Sequence, residues 1–208
     1  MIEARVSGRY ACFTRPEFKV ERVSYPVITP SAARGALEAI FWKPEFQYEI
    51  RQIGIVKMGT QTSILRNELD ARQGKSPILV ERHRQQRSSL VLKGVSYIIR
   101  AEMVLRDHAT DPIYKYRDQF NRRLDRGQCH HTPYLGTREF AAEVVRPDGD
   151  APADSLSLDL GMMLFDLVYV EDPARDELEF IRHDENGGRV VKGYAHPLFF
   201  PARIENGW

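Results

Sequence analysis

The sequence predicts an α+β fold in which a ferredoxin-like (RRM-like) βαββαβ domain precedes an antiparallel β-sheet domain. Three observations support this prediction: two helical stretches that each lie between strands, a long basic insertion between the second and third strands, and a series of strand patterns after Pro147. The length of 208 residues suits a core domain with a smaller second one. We therefore expect domains over residues 1–147 and 148–208.

The first three elements follow from hydrophobic periodicity. Residues 2–12 alternate between apolar and polar side chains, which predicts a half-buried strand. Thr29 followed by Pro30 is typical of a helix start, and the apolar spacing over 32–42 predicts a helix that Pro44 stops. A second alternating stretch, 46–55, predicts the next strand.

Residues 57–94 interrupt this pattern with eight basic and three acidic side chains, and we expect a basic insertion that forms a protruding hairpin or loop. Residues 95–105 predict the third strand. Asp111 and Pro112 then predict the start of a second helix, whose apolar stripe ends before Gly127.

The remaining elements are strands. Residues 138–146 alternate and predict the fourth strand of the first domain. The second domain is expected to be an acidic antiparallel sheet packed on the first domain. Its predicted strands cover 155–165, 167–170, 178–183, 189–193 and 199–204.

Composition excludes several classes of protein. Hydrophobic residues make up 42% of the chain, which excludes a disordered or collagen-like chain. No stretch approaches the roughly 20 apolar residues of a membrane helix, and residues 1–5 lack the pattern of a signal peptide. We therefore expect a cytoplasmic protein with no membrane partner. Two cysteines, Cys12 and Cys129, are too few for a disulfide scaffold, and their spacing matches no CxxC motif. We therefore expect both to be reduced.

The net charge of +1 conceals an uneven distribution. Residues 148–208 hold thirteen acidic and five basic side chains, a net charge of −8, so residues 1–147 carry +9. Such asymmetry favours a polyanion as the partner of the first domain. The alternative is an ordinary solvated surface.

Basic side chains cluster on the second predicted helix. Lys115, Arg122 and Arg126 are separated by seven and four residues, so they share one face, which suits a phosphate backbone. Arg123 and Arg138 add positive charge nearby. We expect the four arginines to contact the phosphate backbone of a nucleic acid.

Two adjacent histidines, His130 and His131, follow this helix. No third ligand at metal-binding spacing lies nearby, so we expect no metal site and no cofactor. An imidazole beside a phosphate can act as an acid or base near neutral pH, whereas the alternative is an ordinary surface pair. The phosphate-binding loop, the dinucleotide motif and the serine hydrolase motif are absent from the sequence.

Four short motifs occur in order along the chain, and weaker ones follow at 160–163 and 205–207. The four are Tyr10-Ala11-Cys12-Phe13-Thr14-Arg15-Pro16, Ser24-Tyr25-Pro26, Ala39-Ile40-Phe41-Trp42-Lys43-Pro44 and Leu135-Gly136-Thr137-Arg138-Glu139-Phe140. Together they resemble the type I-C branch of CRISPR-associated protein family five, over essentially the whole chain.

The resemblance implies the same two-domain fold and a function. Family members cleave precursor CRISPR RNA at the repeat without a metal and remain on the 5′ handle within the type I-C interference complex. The implied partners are therefore CRISPR RNA and the other subunits of that complex. The alternative is a non-catalytic assembly subunit that holds the handle and contacts double-stranded DNA and partner proteins.

The resemblance also implies a catalytic set, from which this sequence departs. Lys115 matches the family's lysine, which would stabilise the phosphorane formed when the RNA 2′-hydroxyl attacks phosphorus. Phe41 stands at the family's tyrosine position and is expected to pack or stack on RNA. Tyr116 stands at its histidine position, where a phenol is a poorer base than an imidazole, and its place on the apolar stripe also fits a core residue.

Three explanations for these departures remain open. Tyr114 takes part through a one-residue shift of the alignment, His130 or His131 supplies the missing imidazole, or the protein holds the RNA and cleaves it slowly or not at all. We expect weak or rearranged catalysis. The candidate catalytic residues are Lys115, Tyr116, Tyr114, His130 and His131.

Overall fold

A five-stranded antiparallel sheet lies at the centre of the computed structural model, which describes residues 1–18, 20–71, 74, 76–175 and 177–208. Its strands are β1 (Ile2–Ala11), β2 (Phe46–Lys57), β3 (Thr60–Leu69), β4 (Arg84–Leu105) and β5 (Glu143–Val145). The order across the sheet is β2-β4-β1-β5, and β3 pairs with the first half of β4. All of these pairings are antiparallel.

The first helix, α1 (Pro30–Ile40), begins as the sequence predicts. The Thr29 hydroxyl accepts a hydrogen bond from the backbone N–H of Ala32 at 3.2 Å, and Pro30 occupies the first turn, where a backbone N–H has no helical partner. The helix ends at Ile40 because Phe41 has an extended backbone. Pro44 is therefore not what ends it, contrary to the sequence prediction.

The basic insertion over 57–94 forms a hairpin, although its residues 72, 73 and 75 lie outside the described residues. β3 pairs with residues 84–93 of β4, and a short helix, α2 (Val80–His83), precedes β4. The predicted third strand, 95–105, is only the second half of β4, which continues for 22 residues. The hairpin is therefore a direct extension of the central sheet.

Part of the positive charge on this hairpin is neutralised by nearby carboxylates. Arg66 lies 2.9 Å from a carboxylate oxygen of Glu139 and 3.0 Å from one of Glu68. Arg87 lies 3.5 Å from the other oxygen of Glu68. These two arginines are therefore less available to RNA than the sequence suggests.

The third helix, α3 (Ile113–Asp125), follows Pro112 but lacks the predicted cap from Asp111. The Asp111 carboxylate instead accepts a hydrogen bond from Lys115 Nζ at 2.7 Å. The buried stripe of the helix contains Tyr116, Phe120 and Leu124. The helix ends before Gly127, whose φ of +62° is readily adopted by glycine.

The last strand of the central sheet is shorter than predicted, since β5 covers only three residues instead of 138–146. The N–H of Phe140 donates to the carbonyl of Thr137 at 3.0 Å, so residues 137–140 form a turn. The carbonyl of Leu135 accepts a hydrogen bond from Cys12 N–H at 3.1 Å. This loop is therefore bound to the end of β1 as a turn rather than as a strand.

A second, three-stranded antiparallel sheet follows. Its strands are β6 (Leu158–Glu171), β7 (Leu178–Asp184) and β8 (Gly187–Ile204), in the order β6-β8-β7. The prediction of five short strands is wrong, because the irregular pairing near Phe165 is a register shift within one continuous strand, β6. The two stretches predicted at 189–193 and 199–204 are likewise parts of β8.

The two sheets share one hydrophobic core. Met163 of β6 and Ala202 of β8 belong to the same buried cluster as Leu37 of α1 and Phe120 of α3. The second sheet therefore packs on the first, as the sequence predicts. Among the described residues, no helix combines the length and apolar character that a membrane span requires.

Gly136→Ala is expected to destabilise the protein far more than Gly127→Ala. Both glycines have positive φ, +83° and +62°, which costs an alanine roughly 1 kcal/mol. A Cβ at residue 136 would also overlap the carbonyl oxygen of Cys12, whereas a Cβ at residue 127 would meet nothing within 4 Å. Urea unfolding should show a loss of about 3 kcal/mol or more for Gly136→Ala and about 1 kcal/mol for Gly127→Ala. Equal losses would contradict the tight approach of this loop to β1.

Candidate functional site

The carbonyl groups at the end of α1 are bound by α3 and by the turn that follows it. The N–H of His130 donates to the carbonyl of Ala39 at 2.6 Å, and the N–H of His131 lies 3.3 Å from the same oxygen. Arg123 Nη1 donates to the carbonyl of Ile40 at 3.1 Å. The last carbonyls of a helix have no partner within it. These contacts therefore hold the turn that contains His130 and His131, the histidine turn, against α1.

The side chains of the two histidines are exposed to solvent. Their ring centroids lie 5.9 Å apart, and the ring of His131 stacks at 6.1 Å on that of Tyr134. Nδ1 of His131 lies 3.1 Å from the carbonyl oxygen of Thr132. The structure thus brings together two neighbouring imidazoles, the type of group that most often transfers protons in catalysis.

Arg123 makes a structural contact that the sequence did not predict, and its expected contact with RNA stays a prediction. Its guanidinium is partly buried, donates to the carbonyl of Ile40 and lies 5.9 Å from the ring centroid of Phe41. This contact uses one of the five N–H donors of the guanidinium. The sequence gives no sign of this difference between Arg123 and Arg122.

Phe41 is buried, with only 2% of its surface exposed, which contradicts the expected contact with RNA. Its ring lies 5.5 Å from that of Phe46. Its carbonyl accepts a hydrogen bond from the hydroxyl of Tyr48 at 2.6 Å. Phe41 therefore belongs to the core beneath the end of α1.

Tyr116 is also 2% exposed, which disagrees with a catalytic role. Its ring packs 5.2 Å from that of Phe46, and Nζ of Lys43 lies 5.7 Å from its centroid. Burial raises the pKa of the Tyr116 hydroxyl, and the carboxylates of Glu45 and Asp111 raise it further. At neutral pH this phenol stays protonated inside the core, so we remove it from the catalytic candidates.

Lys115 and Tyr114 are exposed in the first turn of α3. The hydrogen bond to Asp111 raises the pKa of Lys115, so its ammonium keeps its charge. Asp125 follows Lys115 by ten positions of helix, which corresponds to about 15 Å along the axis. Lys115 and the histidine turn therefore lie at opposite ends of α3, and the structure does not assemble all the predicted residues into one cluster.

Three predicted arginines remain available for a ligand. Arg122 is exposed in the last turn of α3, Arg126 is exposed directly after this helix, and Arg138 is exposed in the turn before β5. Within the described ranges, none of the three has a carboxylate within the 4.0 Å that defines an ion pair, whereas Arg146 lies against the carboxylate of Asp125. Unneutralised positive charge therefore remains near the end of α3.

Sequence reasoning missed a polar cavity of about 520 Å³ between α1, β2 and β6. Arg34 of α1 binds both carboxylate oxygens of Asp166, with Nη2 2.8 Å from Oδ1, and lies 3.5 Å from Glu38. Burial raises the pKa of Glu38, and Asp166 adds to this. The spacing of Arg34 and Glu38 was visible in the sequence, but Asp166 lies 132 residues away. In the described part of the chain, no group of three His, Cys, Asp or Glu is arranged to hold a metal ion.

Comparison with known protein families gives a match over the full chain. The model of the Cas5d family, described as "CRISPR-associated protein (Cas_Cas5)", matches residues 1–208. A CRISPR pre-crRNA endoribonuclease Cas5d from Thermus thermophilus is 63% identical over 207 residues, which cover 100% of this chain and 89% of that protein. One of the same description from Mannheimia succiniciproducens is 41% identical over 229 residues, covering 99% of this chain and 92% of that protein.

Two solved structures resemble the fold at low sequence identity. A functionally uncharacterised protein from Streptococcus mutans has a TM-score of 0.63 and 21% identity, with 99% of this chain and 88% of that chain covered. A structure described as a CRISPR-associated protein has a TM-score of 0.64 and 22% identity, with the same coverage. At this identity the two likenesses support the fold alone.

Arg123→Ala is expected to destabilise the protein, whereas its neighbour Arg122→Ala is not. Loss of Arg123 leaves the carbonyl of Ile40 without its partner, which should lower the free energy of unfolding by about 1 to 2 kcal/mol. Exposed Arg122 should change it by no more than about 0.5 kcal/mol. Urea unfolding of both variants measures the difference. Equal stability of the two variants would contradict the structural role of Arg123.

Proposed function

Because this chain belongs to the CRISPR-associated Cas5d family, we propose that it is an endoribonuclease that cleaves precursor CRISPR RNA at the repeat and keeps the 5′ handle. The observation that carries this proposal is the 63% identity, over the whole chain, to a protein described as a CRISPR pre-crRNA endoribonuclease. The exposed histidine pair and the free arginines beside α3 are consistent with the chemistry and with the polyanionic substrate.

We assign a ferredoxin-like arrangement to the central sheet and its helices. The succession β1-α1-β2-β4-α3-β5 is βαββαβ, and β4 lies between β1 and β2. The hairpin of β3 and the first half of β4 is the insertion. We place the boundary between the two proposed domains at Pro147, since residues 148–208 supply the whole second sheet.

The proposed reaction needs a base, an acid and a cation. The RNA 2′-oxygen attacks the adjacent phosphorus while a base takes its proton, and an acid protonates the leaving 5′-oxygen, so the products are a 2′,3′-cyclic phosphate and a 5′-hydroxyl. We assign the two proton transfers to His130 and His131, because imidazoles exchange protons near neutral pH. Arg126, with Arg122 on the same helix face, stabilises the charge of the phosphorane.

Lys115 takes a different role in this proposal from the one that the resemblance implies. It lies in the first turn of α3, about 15 Å along the axis from the last turn. We therefore propose that Lys115 and Tyr114 bind a different part of the RNA, through the charged ammonium and the exposed ring. Arg138 contributes a further backbone contact.

The second sheet is proposed to contact other subunits of the type I-C interference complex. The five basic side chains of residues 148–208 lie within 4.0 Å of acidic side chains of the same region. This region therefore presents little free positive charge to RNA, in contrast to α3. The second sheet therefore gives no support to binding of double-stranded DNA, which is a partner in the non-catalytic alternative.

The purified protein is expected to cleave repeat RNA in the presence of EDTA. His130→Ala and His131→Ala should each lower the single-turnover rate by roughly 100-fold or more, because each removes a proton-transfer group. Lys115→Ala should weaken RNA binding and leave the rate at saturating protein nearly unchanged. Gel analysis of the products, with detection of the cyclic phosphate, measures the rates.

The matched control is His196→Ala, which removes an exposed histidine from β8. It should cleave at the normal rate. A wild-type protein that binds the repeat RNA without cleaving it would overturn the enzymatic proposal in favour of the assembly subunit. Loss of the rate in Lys115→Ala with full activity in both histidine variants would place the reaction at the other end of α3.

A further inference from the structure

A shallow groove of about 540 Å³ crosses the central sheet on the face away from α1 and α3. Side chains at positions 3, 5 and 7 of β1 point to this face, since those at positions 2, 4 and 6 are buried on the helix side. Arg9 and Lys57 line the groove, and Gly94 forms part of its floor. Neither the histidine turn nor α3 belongs to it.

Arg9 and Lys57 both line the groove beside Gly94, and the guanidinium carbon of Arg9 lies 5.3 Å from the centroid of the Tyr10 ring. Arg9 lies opposite Gly94 in the antiparallel register, between the pairs Gly8/Val95 and Tyr10/Lys93. Nζ of Lys57 is placed so that a Cβ on Gly94 would lie only 3.4 Å from it. Two cations from different strands thus flank a position that has no side chain, which leaves room for an anion between them.

A hydroxyl without a partner lies on the same face. Ser96 pairs with both Ser7 and Lys57 in the sheet register. Its Oγ atom is buried and has no hydrogen-bond partner. A buried polar atom of this kind costs free energy unless a ligand satisfies it.

Charge is distributed unevenly along this sheet face. Towards its other end, Arg5, Arg51 and Arg100 each contact a carboxylate at 2.7 to 3.0 Å. The Trp208 ring also covers Arg100, whose guanidinium carbon lies 4.1 Å from the ring centroid. Arg9 and Lys57 are exposed, and no carboxylate of the described residues lies within ion-pair distance of either.

One acidic side chain does line the groove. The Glu143 carboxylate lies on the β5 side, 3.4 Å from Ser7 Oγ and 3.7 Å from Arg5 Nη2. Its charge is therefore engaged by Arg5 rather than by Arg9 or Lys57. The end of the groove at Gly94 keeps its positive charge.

We propose that Arg9 and Lys57 form a second RNA-binding site, which takes a phosphodiester of the RNA backbone over Gly94 on the sheet face opposite α3. The proposal rests on the proposed RNA substrate but not on cleavage. A single strand fits a shallow groove on a sheet, because its backbone follows the surface and brings successive phosphates to separate cations. Base readout of duplex DNA uses an element that enters its groove, and the described residues that line this surface belong to strands and turns that lie flat in the sheet.

The test compares the double variant Arg9→Ala/Lys57→Ala with the wild-type protein in binding to labelled oligouridine over a range of salt concentrations. Each phosphate contact on a single strand contributes about 0.7 to the slope of log affinity against log salt. The double variant should therefore lose about 1.4 of that slope. Arg9→Gln/Lys57→Gln should give the same loss, and near-normal thermal unfolding of either variant shows that the fold is intact.

The matched control is Arg51→Ala/Arg189→Ala, which removes two exposed but ion-paired arginines and the same amount of charge. It should keep the wild-type slope. An equal loss of slope in both double variants, or no loss in the groove variants, would overturn the site. A loss seen with duplex DNA and not with oligouridine would assign the groove to DNA instead. Because the experiment measures binding and not cleavage, its result can be interpreted even if the enzymatic proposal fails.

Discussion

The carbonyl groups at the end of α1 impose the constraint on which the candidate site depends. The N–H of Phe41 binds the Leu37 carbonyl at 3.2 Å, and the histidine turn and Arg123 bind those of Ala39 and Ile40. Without them, these groups would be left unpaired beside the core, which is costly. The partners of Ala39 and Ile40 come from the end of α3 and the turn after it, so one set of hydrogen bonds closes α1, positions α3 and places the histidine turn.

Ion pairing divides the basic side chains into two groups. Arg34 and Arg66 are held by carboxylates from distant segments and contribute to the fold. Arg122 and Arg126 have no such partner among the described residues and keep their charge for a ligand. Exposed ion pairs add little stability in water, so their main consequence here is to decide where positive charge remains. Positive charge remains at α3, in the turn at Arg138 and in the groove at Arg9, whereas the basic side chains of the second sheet region are ion-paired.

The sequence predicted the elements whose periodicity is local, and it failed where distant groups decide. The start of α1 was predictable because Thr29 and Pro30 act within one turn. The shortness of β5 was not, because it depends on a loop that binds back to β1. Among the candidate residues, the type of each side chain was visible but its burial was not. Phe41 and Tyr116 pack around Phe46, a contact that joins three segments.

Cleavage and retention of an RNA place different demands on a protein. Cleavage depends on a few groups held at one phosphate, where a displacement of an ångström is costly. Retention depends on the number of phosphates neutralised, wherever they lie. In the proposed reaction the histidine turn serves the first demand, and backbone hydrogen bonds to Ala39 restrain this turn. The groove at Arg9 and Lys57 meets only the second, since its cations are exposed and long. We propose that an RNA which reaches both surfaces passes around the sheet, so that the product stays bound after cleavage at the proposed histidine site.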